Sequence, residues 1–131
     1  MLKTIKAETR HALHVVQAHL RERSKRKTRS PHWESTAKAF LESHPACSAC
    51  GATRRLQVHH RQPFHLHPEL ELDPTNLIGL CMSTKECHLR LGHGGNFKGY
   101  VPEIQELSEE MRANPLKWEE IEIKASKLLR F

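Results

Sequence analysis

Cysteine and histidine are concentrated in the middle of the chain. All four cysteines and six of the eleven histidines lie between Cys47 and His93. Thiolate sulfur and imidazole nitrogen are the ligands that zinc prefers. The cysteines form two close pairs, Cys47 with Cys50 and Cys81 with Cys87, and four thiolates can close a tetrahedral zinc shell. The histidines then remain available for a second metal site.

An even number of cysteines would also suit a secreted protein with two disulfides. The chain opens Met-Leu-Lys-Thr-Ile-Lys-Ala-Glu, without the apolar core of a signal peptide, and no apolar run approaches membrane-spanning length. In the reducing cytoplasm, closely spaced cysteines more often bind metal than oxidise. We therefore expect a cytoplasmic protein with structural zinc, with disulfides and buried unligated thiols as the alternatives.

The adjacent histidines His59 and His60 can take two different tasks. They follow Leu56-Gln-Val58, whose alternation predicts a strand. Neighbouring side chains of a strand point to opposite faces, so one imidazole can bind a metal while the other stays free as a base near neutral pH. Hydrolysis of a phosphodiester needs this division, because a base activates water and a cation neutralises the developing charge.

Further ligands must come from the second cysteine pair. His88 follows Cys87 directly, at the start of a short predicted helix that ends near Leu91, and is the natural partner of His59. On a regular helix, His93 would lie about 140° away from His88, although a break at Gly92 could bring it back. His93 is therefore a candidate third ligand or a phosphate contact.

Periodicity predicts the elements that must position these residues. Glycine after the first cysteine pair favours a zinc knuckle from Cys47 to Gly51. A second helix is predicted to begin at Ser30-Pro31 and to end at His44-Pro45, with a buried stripe of Trp33, Ala37, Phe40 and Leu41. The other predicted elements are, in chain order, a helix over 2–20, a strand over 56–58, a loop over 63–75, a return strand over Asn76–Leu80, and helices over Pro102–Met111 and Pro115–Phe131.

Nearly all of the excess positive charge lies in one segment. The net charge is +6 at pH 7, and residues 21–29 contain six basic residues and one acidic residue. Such a run favours contacts with the phosphates of DNA, and a solvated helix end is the alternative. The candidate DNA contacts are Arg21, Arg23, Lys25, Arg26, Lys27 and Arg29.

Several short motifs of the chain occur together in a recognisable order. They are Cys47-x2-Cys50, Val58-His59-His60, Leu72-Asp-Pro-Thr-Asn76-Leu77, Leu80-Cys81, Cys87-His88 and Gly92-His93-Gly94. Over residues 30–100 they resemble the HNH endonucleases, especially the small phage and bacterial forms with a four-cysteine zinc. The resemblance implies an α+β fold with a ββα-metal (His-Me finger) core and a structural zinc, flanked by N- and C-terminal helices.

The resemblance also implies a role for each site residue. His60 matches the general base, and His59 and His88 match the ligands of a catalytic Mg²⁺, Mn²⁺, Ni²⁺ or Zn²⁺ ion. Asn76 matches the middle motif residue, whose amide would fix the intervening loop and the ring of His60. The chain departs from the family in its longer Cys81-x5-Cys87 spacer, so we expect Met82 to Glu86 to bulge outward.

We interpret the chain as one domain, with an N-terminal helix and basic segment at 1–29, a nuclease core at 30–100 and packing helices at 101–131. The expected function is metal-dependent hydrolysis of double-stranded DNA, in which His60 activates the water that attacks a metal-bound phosphate, leaving 5′-phosphate and 3′-hydroxyl ends; no membrane is involved. The alternatives are a non-catalytic zinc module that holds DNA or RNA and an accessory subunit of a phage or defence complex. The oligomeric state stays open.

Overall fold

The computed structural model describes residues 28–131 as a small α+β structure. The helix expected over 2–20 and the basic residues 21–27 lie outside the described residues. The described elements are α1 (Trp33–Ser43), β1 (Leu56–His60), β2 (Leu77–Cys81), a π-helical turn (His88–Gly92), α2 (Ile104–Ala113) and α3 (Trp118–Leu128), with short 3₁₀ turns at Pro68–Leu70, Pro74–Asn76 and Pro115–Lys117. Within this part of the chain, no helix is long and apolar enough to cross a membrane.

The two strands form an antiparallel sheet whose faces have different neighbours. Leu56 pairs with Cys81 and His60 with Leu77, so the register brings the start of β1 to the second cysteine pair. Helix α1 covers the face of His60, whose ring centroid lies 4.5 Å from that of Trp33. The π-helical turn covers the face of His59, and helix α3 packs on that turn. As expected from strand alternation, the adjacent histidines therefore lie in different surroundings.

Helix α1 begins later than the sequence predicts. Ser30-Pro31 is not its N-cap, because the helix starts at Trp33 after a turn in which the backbone N–H of His32 donates to Ser30 Oγ over 3.1 Å. The backbone N–H of Ser30 itself donates to the carboxylate of Glu71. Ser30 is therefore fixed to a distant loop, and the helix forms beyond it. The expected buried stripe of α1 is only partly buried.

Two other boundaries also differ from the predictions, for a shared reason. The return strand starts at Leu77 rather than Asn76, because Asn76 closes a 3₁₀ turn begun by Pro74. The last helix starts at Trp118, because Pro115 begins a 3₁₀ turn in which Asn114 Oδ1 accepts from Leu116 N over 3.3 Å. Proline and asparagine favour turns over regular elements at both positions.

The core lies between the His59 face of the sheet and the C-terminal helices. Its fully buried apolar members are Leu80, Leu91, Val101, Ile104, Met111 and Ala125, together with three of the four cysteines. The C-terminal end is tied to this core by a two-way backbone pairing, in which Tyr100 and Arg130 donate to each other over 2.8 and 2.9 Å. The core thereby fixes the π-helical turn, which carries His88 and leads into His93.

Candidate functional site

The four cysteines converge to form a candidate metal site. Their sulfur atoms lie within 4.8 Å of one another, and Cys50 Sγ is 3.6 Å from Cys81 Sγ. A tetrahedral zinc with bonds of about 2.3 Å would separate its sulfur ligands by about 3.8 Å. All four are free thiols, and only Cys50 is partly exposed. The cluster can therefore hold a metal ion such as zinc.

Backbone hydrogen bonds bring the two cysteine pairs together. Gly51, with φ +80°, turns the first pair as the sequence predicts, and Ser48 N donates to Gly79 O of β2 over 2.9 Å. The second pair is tied to the start of β1 by Met82 N, which donates to Arg55 O over 2.8 Å. The five-residue spacer closes through Glu86 at a left-handed φ of +48°. Cys87 thus reaches the cluster despite the longer spacer.

The thiols compete for protons in the absence of a cation. A hydrogen bond from the Cys87 thiol lowers the pKa of Cys47 to about 4, and the same hydrogen bond together with burial raises the pKa of Cys87. Burial raises the pKa of Cys50 to about 11. Four thiolates at this spacing repel one another unless a cation lies among them, which fits a zinc site.

A second candidate metal site is formed by His59, His88 and His93, whose ligand atoms also lie within 4.8 Å of one another. The sequence left the place of His93 open, because a regular helix would turn it away from His88. The turn is instead π-helical, and His93 N donates to His88 O over 3.0 Å. A bond from residue i+5 to residue i widens the turn and stacks these two side chains, and such turns are frequent at functional sites.

Glycine is needed inside this turn. A Cβ atom at Gly92 would lie 3.1 Å from both His59 Cε1 and Leu80 Cδ1, which is tighter than ordinary side-chain contact. The hydrogen atom of glycine lets the turn lie directly on the ring of His59. Gly92 O also accepts from Val101 N over 3.0 Å, which holds the turn against the following segment.

The hydrogen bonds of His88 and His93 leave the Nε2 atoms of these two histidines facing each other, 3.2 Å apart. His88 Nδ1 lies 2.7 Å from Gln57 Oε1, and His93 Nδ1 lies 2.7 Å from Gly99 O. Both partners are oxygens that can only accept, so each Nδ1 carries the proton and each Nε2 carries a lone pair. His59 Nε2 is buried and has no hydrogen-bond partner in the described structure. A buried nitrogen without a partner is costly, and a metal ion would satisfy it.

All three imidazoles are favoured in their neutral form. Burial lowers the pKa of His59 well below its usual value and lowers that of His88 to about 4, with the neighbouring histidines adding to both effects. Burial also lowers the pKa of His93, against an opposing effect of the hydrogen bond to Gly99. Neutral imidazole is the form that binds metal.

The two hydrogen-bond acceptors of His88 and His93 were not predicted from the sequence, although the position of one of them, Gln57, could have been inferred from strand alternation. Gln57 lies two residues before His59, so strand alternation places both on the same face, next to His88. The oxygen of Gly99 gives no such signal, because a backbone carbonyl carries no side-chain identity. Groups of this kind fix the tautomer and orientation of metal-binding histidines.

His60 is held apart from the other three histidines. Its Nε2 lies 2.9 Å from the backbone oxygen of Glu71, so Nε2 carries the proton and Nδ1 carries the lone pair. Burial lowers the pKa of His60, and the hydrogen bond to Glu71 opposes this change. His60 is thus a neutral imidazole with a basic nitrogen, and it lines the same cavity as the histidine cluster.

Asn76 fixes the loop between the strands and does not contact the ring of His60 through any hydrogen bond of the described structure. Its Oδ1 accepts from Gln62 N over 2.8 Å, and its Nδ2 donates to Gln62 O and Leu70 O over 3.1 and 3.2 Å. Leu70 precedes Glu71, whose carbonyl holds His60. The amide therefore reaches His60 through the loop backbone.

The cavity beside the histidines has a volume of about 430 Å³ and combines cations with aromatic rings. Arg29, the one candidate DNA contact within the described residues, lies at its edge, with its guanidinium carbon 5.1 Å from the Trp33 ring and 4.7 Å from the Phe64 ring. Its Nη1 is 3.7 Å from the buried carboxylate of Glu71. Lys98 also lines the cavity. An anionic ligand would meet two positive charges there.

Comparison with protein-family models, with curated proteins and with solved structures finds no match for this chain.

Proposed function

We propose that this protein is a metal-dependent endonuclease of the HNH type that hydrolyses phosphodiester bonds of double-stranded DNA. One observation carries the proposal. The ligand nitrogens of three imidazoles lie within 4.8 Å of one another, while a fourth imidazole, that of His60, is hydrogen-bonded to the Glu71 carbonyl and lines the same cavity. A purely structural metal site would have no use for the fourth histidine.

The order of elements also supports a ββα-metal core. Strand β1 carries the two adjacent histidines, a long loop follows, strand β2 returns, and a helical turn supplies His88 and His93. The proposal takes this turn as the helix of the ββα unit, widened by one residue to a π-helical turn.

The ligand set favours a borderline transition metal over magnesium at the histidine cluster. Within residues 28–131 the cluster contains imidazoles and no carboxylate. Imidazole suits zinc, nickel, copper and iron, whereas magnesium prefers oxygen ligands. When bound there, such a cation stabilises the negative charge that develops on the phosphate and on the leaving oxygen.

His60 supplies the base in this proposal. Its Nδ1 accepts the proton of a water molecule as the water oxygen attacks phosphorus, and the bond from phosphorus to the 3′-oxygen breaks, with that oxygen taking a proton from solvent water. The products are a 5′-phosphate and a 3′-hydroxyl. The low pKa of His60 keeps the base unprotonated at neutral pH, and the Glu71 carbonyl orients it.

A non-catalytic zinc module that holds nucleic acid is the rival proposal, and the four-cysteine cluster favours it as strongly as it favours the nuclease. The two differ in their need for His60. A zinc module would bind DNA equally well with any residue at position 60, whereas the nuclease would lose its base.

Plasmid cleavage by the purified protein tests the proposal. Supercoiled DNA is incubated with added Zn²⁺, Ni²⁺, Mn²⁺ or Mg²⁺, and the same reactions are run with His60→Ala and with His32→Ala, an exposed histidine outside the cavity. We expect the parent and His32→Ala to cut alike, and His60→Ala to be slower by roughly two to four orders of magnitude, the usual contribution of a general base. Equal cleavage by His60→Ala would refute the assigned base, and no cleavage with any ion would favour the zinc module.

A further inference from the structure

A second positively charged cleft lies beside the cysteine cluster, away from the cavity of the histidines. It has a volume of about 580 Å³ and is lined by Arg54, Arg55, Met82, Ser83, Thr84 and Glu86. We call it the knuckle cleft, because its walls are the segments that follow the first cysteine pair and separate the second. We propose that the knuckle cleft binds phosphates of the DNA backbone next to the candidate cleavage site. This inference rests on the proposed function.

The two guanidinium groups of the cleft are available to a ligand. Within the described part of the chain, neither Arg54 nor Arg55 forms a side-chain hydrogen bond, an ion pair or a ring contact. The one carboxylate of the cleft, Glu86, pairs instead with Arg90, whose Nη2 lies 3.3 Å from Glu86 Oε1. Within the described residues the cleft therefore presents two cations without an ion-pair partner and the exposed hydroxyl of Thr84, and arginine and hydroxyl side chains are common donors to phosphate oxygens.

Two residues of the knuckle cleft have a backbone conformation that is unfavourable for residues with a side chain. Arg55 (φ +54°) and Glu86 (φ +48°) are the two non-glycine residues of the described chain with positive φ, and both line this cleft. Glycine adopts this conformation without the steric cost that a side chain meets. Residues held in such conformations cluster at functional sites. An arginine at position 55 is thus unfavourable for the turn, and a function of its side chain would explain it.

The knuckle cleft and the histidine cavity lie toward opposite ends of strand β1. Arg55 precedes His59 by four residues, which corresponds to roughly 13 Å along an extended strand. Between them, the exposed hydrogen bond of Gln57 with His88 marks the surface that joins the cleft to the histidines. A DNA strand carries one phosphate for about every 3.4 Å of helix axis, and its phosphates are farther apart along the winding backbone, so the cleft would meet the backbone a few phosphates from the scissile bond.

Salt-dependent binding tests the cleft without requiring cleavage. A fluorescein-labelled 20-base-pair duplex is titrated at several salt concentrations with the full chain carrying His60→Ala, so that the probe stays intact. The same measurement is made after adding Arg54→Gln and Arg55→Gln, or the matched pair Arg112→Gln and Lys117→Gln, two exposed residues that line neither the knuckle cleft nor the histidine cavity. Loss of two phosphate contacts should reduce the slope of log affinity against log salt by about 1.8. The matched pair should leave the slope unchanged.

Replacement of Arg55 by glycine separates a binding role from a structural one. Arg55→Gly relieves the positive φ, so we expect a melting temperature equal to or above that of the parent and a slope reduced by about 0.9. A lower melting temperature with an unchanged slope would show that the side chain serves the fold, and it would overturn the proposal. So would equal slopes for the double variant and the parent.

Cleavage and salt dependence together distinguish an error in the proposed phosphate binding from an error in the proposed nuclease activity. If the parent cleaves DNA and the Arg54→Gln, Arg55→Gln variant keeps the salt slope of the parent, the nuclease proposal stands and the proposed phosphate binding in the knuckle cleft is wrong. If the parent does not cleave DNA and the double variant has a smaller slope of log affinity against log salt, the knuckle cleft binds phosphate and the nuclease proposal is wrong.

Discussion

The Nε2 atoms of His88 and His93 lie 3.2 Å apart, and both carry lone pairs because each Nδ1 donates to an oxygen. Two lone pairs at this distance repel each other unless a cation lies beside them. A tetrahedral zinc with bonds of 2.0–2.1 Å to nitrogen would separate two imidazole ligands by about 3.3–3.4 Å. The pair is thus spaced as the ligands of one metal ion would be, and Gln57 and Gly99 hold the two rings in this orientation.

This relationship predicts that Gln57 contributes to metal affinity without touching the metal. Gln57→Ala removes the acceptor of His88 Nδ1, so the ring can rotate and take the other tautomer. We expect the affinity for Zn²⁺ or Ni²⁺ to fall by roughly 10- to 100-fold, the usual effect of losing such a partner. Isothermal titration of protein with an intact cysteine site would measure this.

Gln105→Ala is the matched control, because that half-buried glutamine donates to Glu109 on helix α2 and does not line the histidine cavity. It should bind the ion as the parent does. Equal affinities for the two variants would mean that the ring of His88 is oriented by packing alone.

The cysteine cluster should retain one tightly bound zinc through purification. Four sulfurs within 4.8 Å form a closed ligand set, three of them belong to the buried core, and metal binding there contributes directly to folding. Cys81→Ser should therefore unfold the core as well as release zinc. Elemental analysis and circular dichroism measure the two effects, and a folded Cys81→Ser protein without zinc would contradict this role.

The sequence allowed much of the site to be predicted, and the errors have local physical causes. Strand alternation was sufficient to separate His59 from His60, and the spacing of the cysteines was sufficient to pair them. The position of His93 could not be derived, because the π-helical turn depends on the absence of a side chain at Gly92, where the turn meets His59 and Leu80. That contact joins segments distant in sequence, so no local pattern encodes it.

The role of Glu71 shows the same limit. In the sequence it is one of three acidic residues in a proline-rich loop, where a solvent-exposed carboxylate is the usual case. In the structure it is fully buried, its carboxylate accepts from Ser30 N, and its carbonyl holds His60. Its importance arises from the folded path of the loop, which Asn76 fixes, and not from any motif.

Gly92→Ala should disturb both the fold and the histidine site. The added methyl group would lie 3.1 Å from His59 Cε1 and from Leu80 Cδ1, so these two buried side chains must move by a few tenths of an ångström to accommodate it. Overpacking of this kind typically costs about 1–3 kcal/mol in the free energy of unfolding. Binding of Zn²⁺ or Ni²⁺ to the histidines should weaken in the same variant.

Gly79→Ala provides the control for this substitution within the same sheet. A Cβ atom at position 79 would lie 3.6 Å from Leu41 Cδ2, an ordinary contact. Urea unfolding and metal titration of both variants measure the difference. If Gly79→Ala destabilised the protein as much as Gly92→Ala, tight packing against His59 would not be the reason for glycine in the turn.

Arg29 should affect kcat, whereas the other basic residues of its segment should affect KM. Its guanidinium lies at the edge of the histidine cavity, against Trp33 and Phe64, whereas a phosphate contact elsewhere on the duplex only positions the enzyme. Arg29→Gln should therefore lower kcat, because a cation beside the scissile phosphate stabilises the charge that develops on it. The combined neutralisation of Arg23, Lys25, Arg26 and Lys27 should instead raise KM and flatten the salt dependence of binding, by about 0.9 log units per lost phosphate contact. Steady-state cleavage of a labelled duplex separates the two effects, and a change confined to KM in both variants would place Arg29 with the rest of the basic segment.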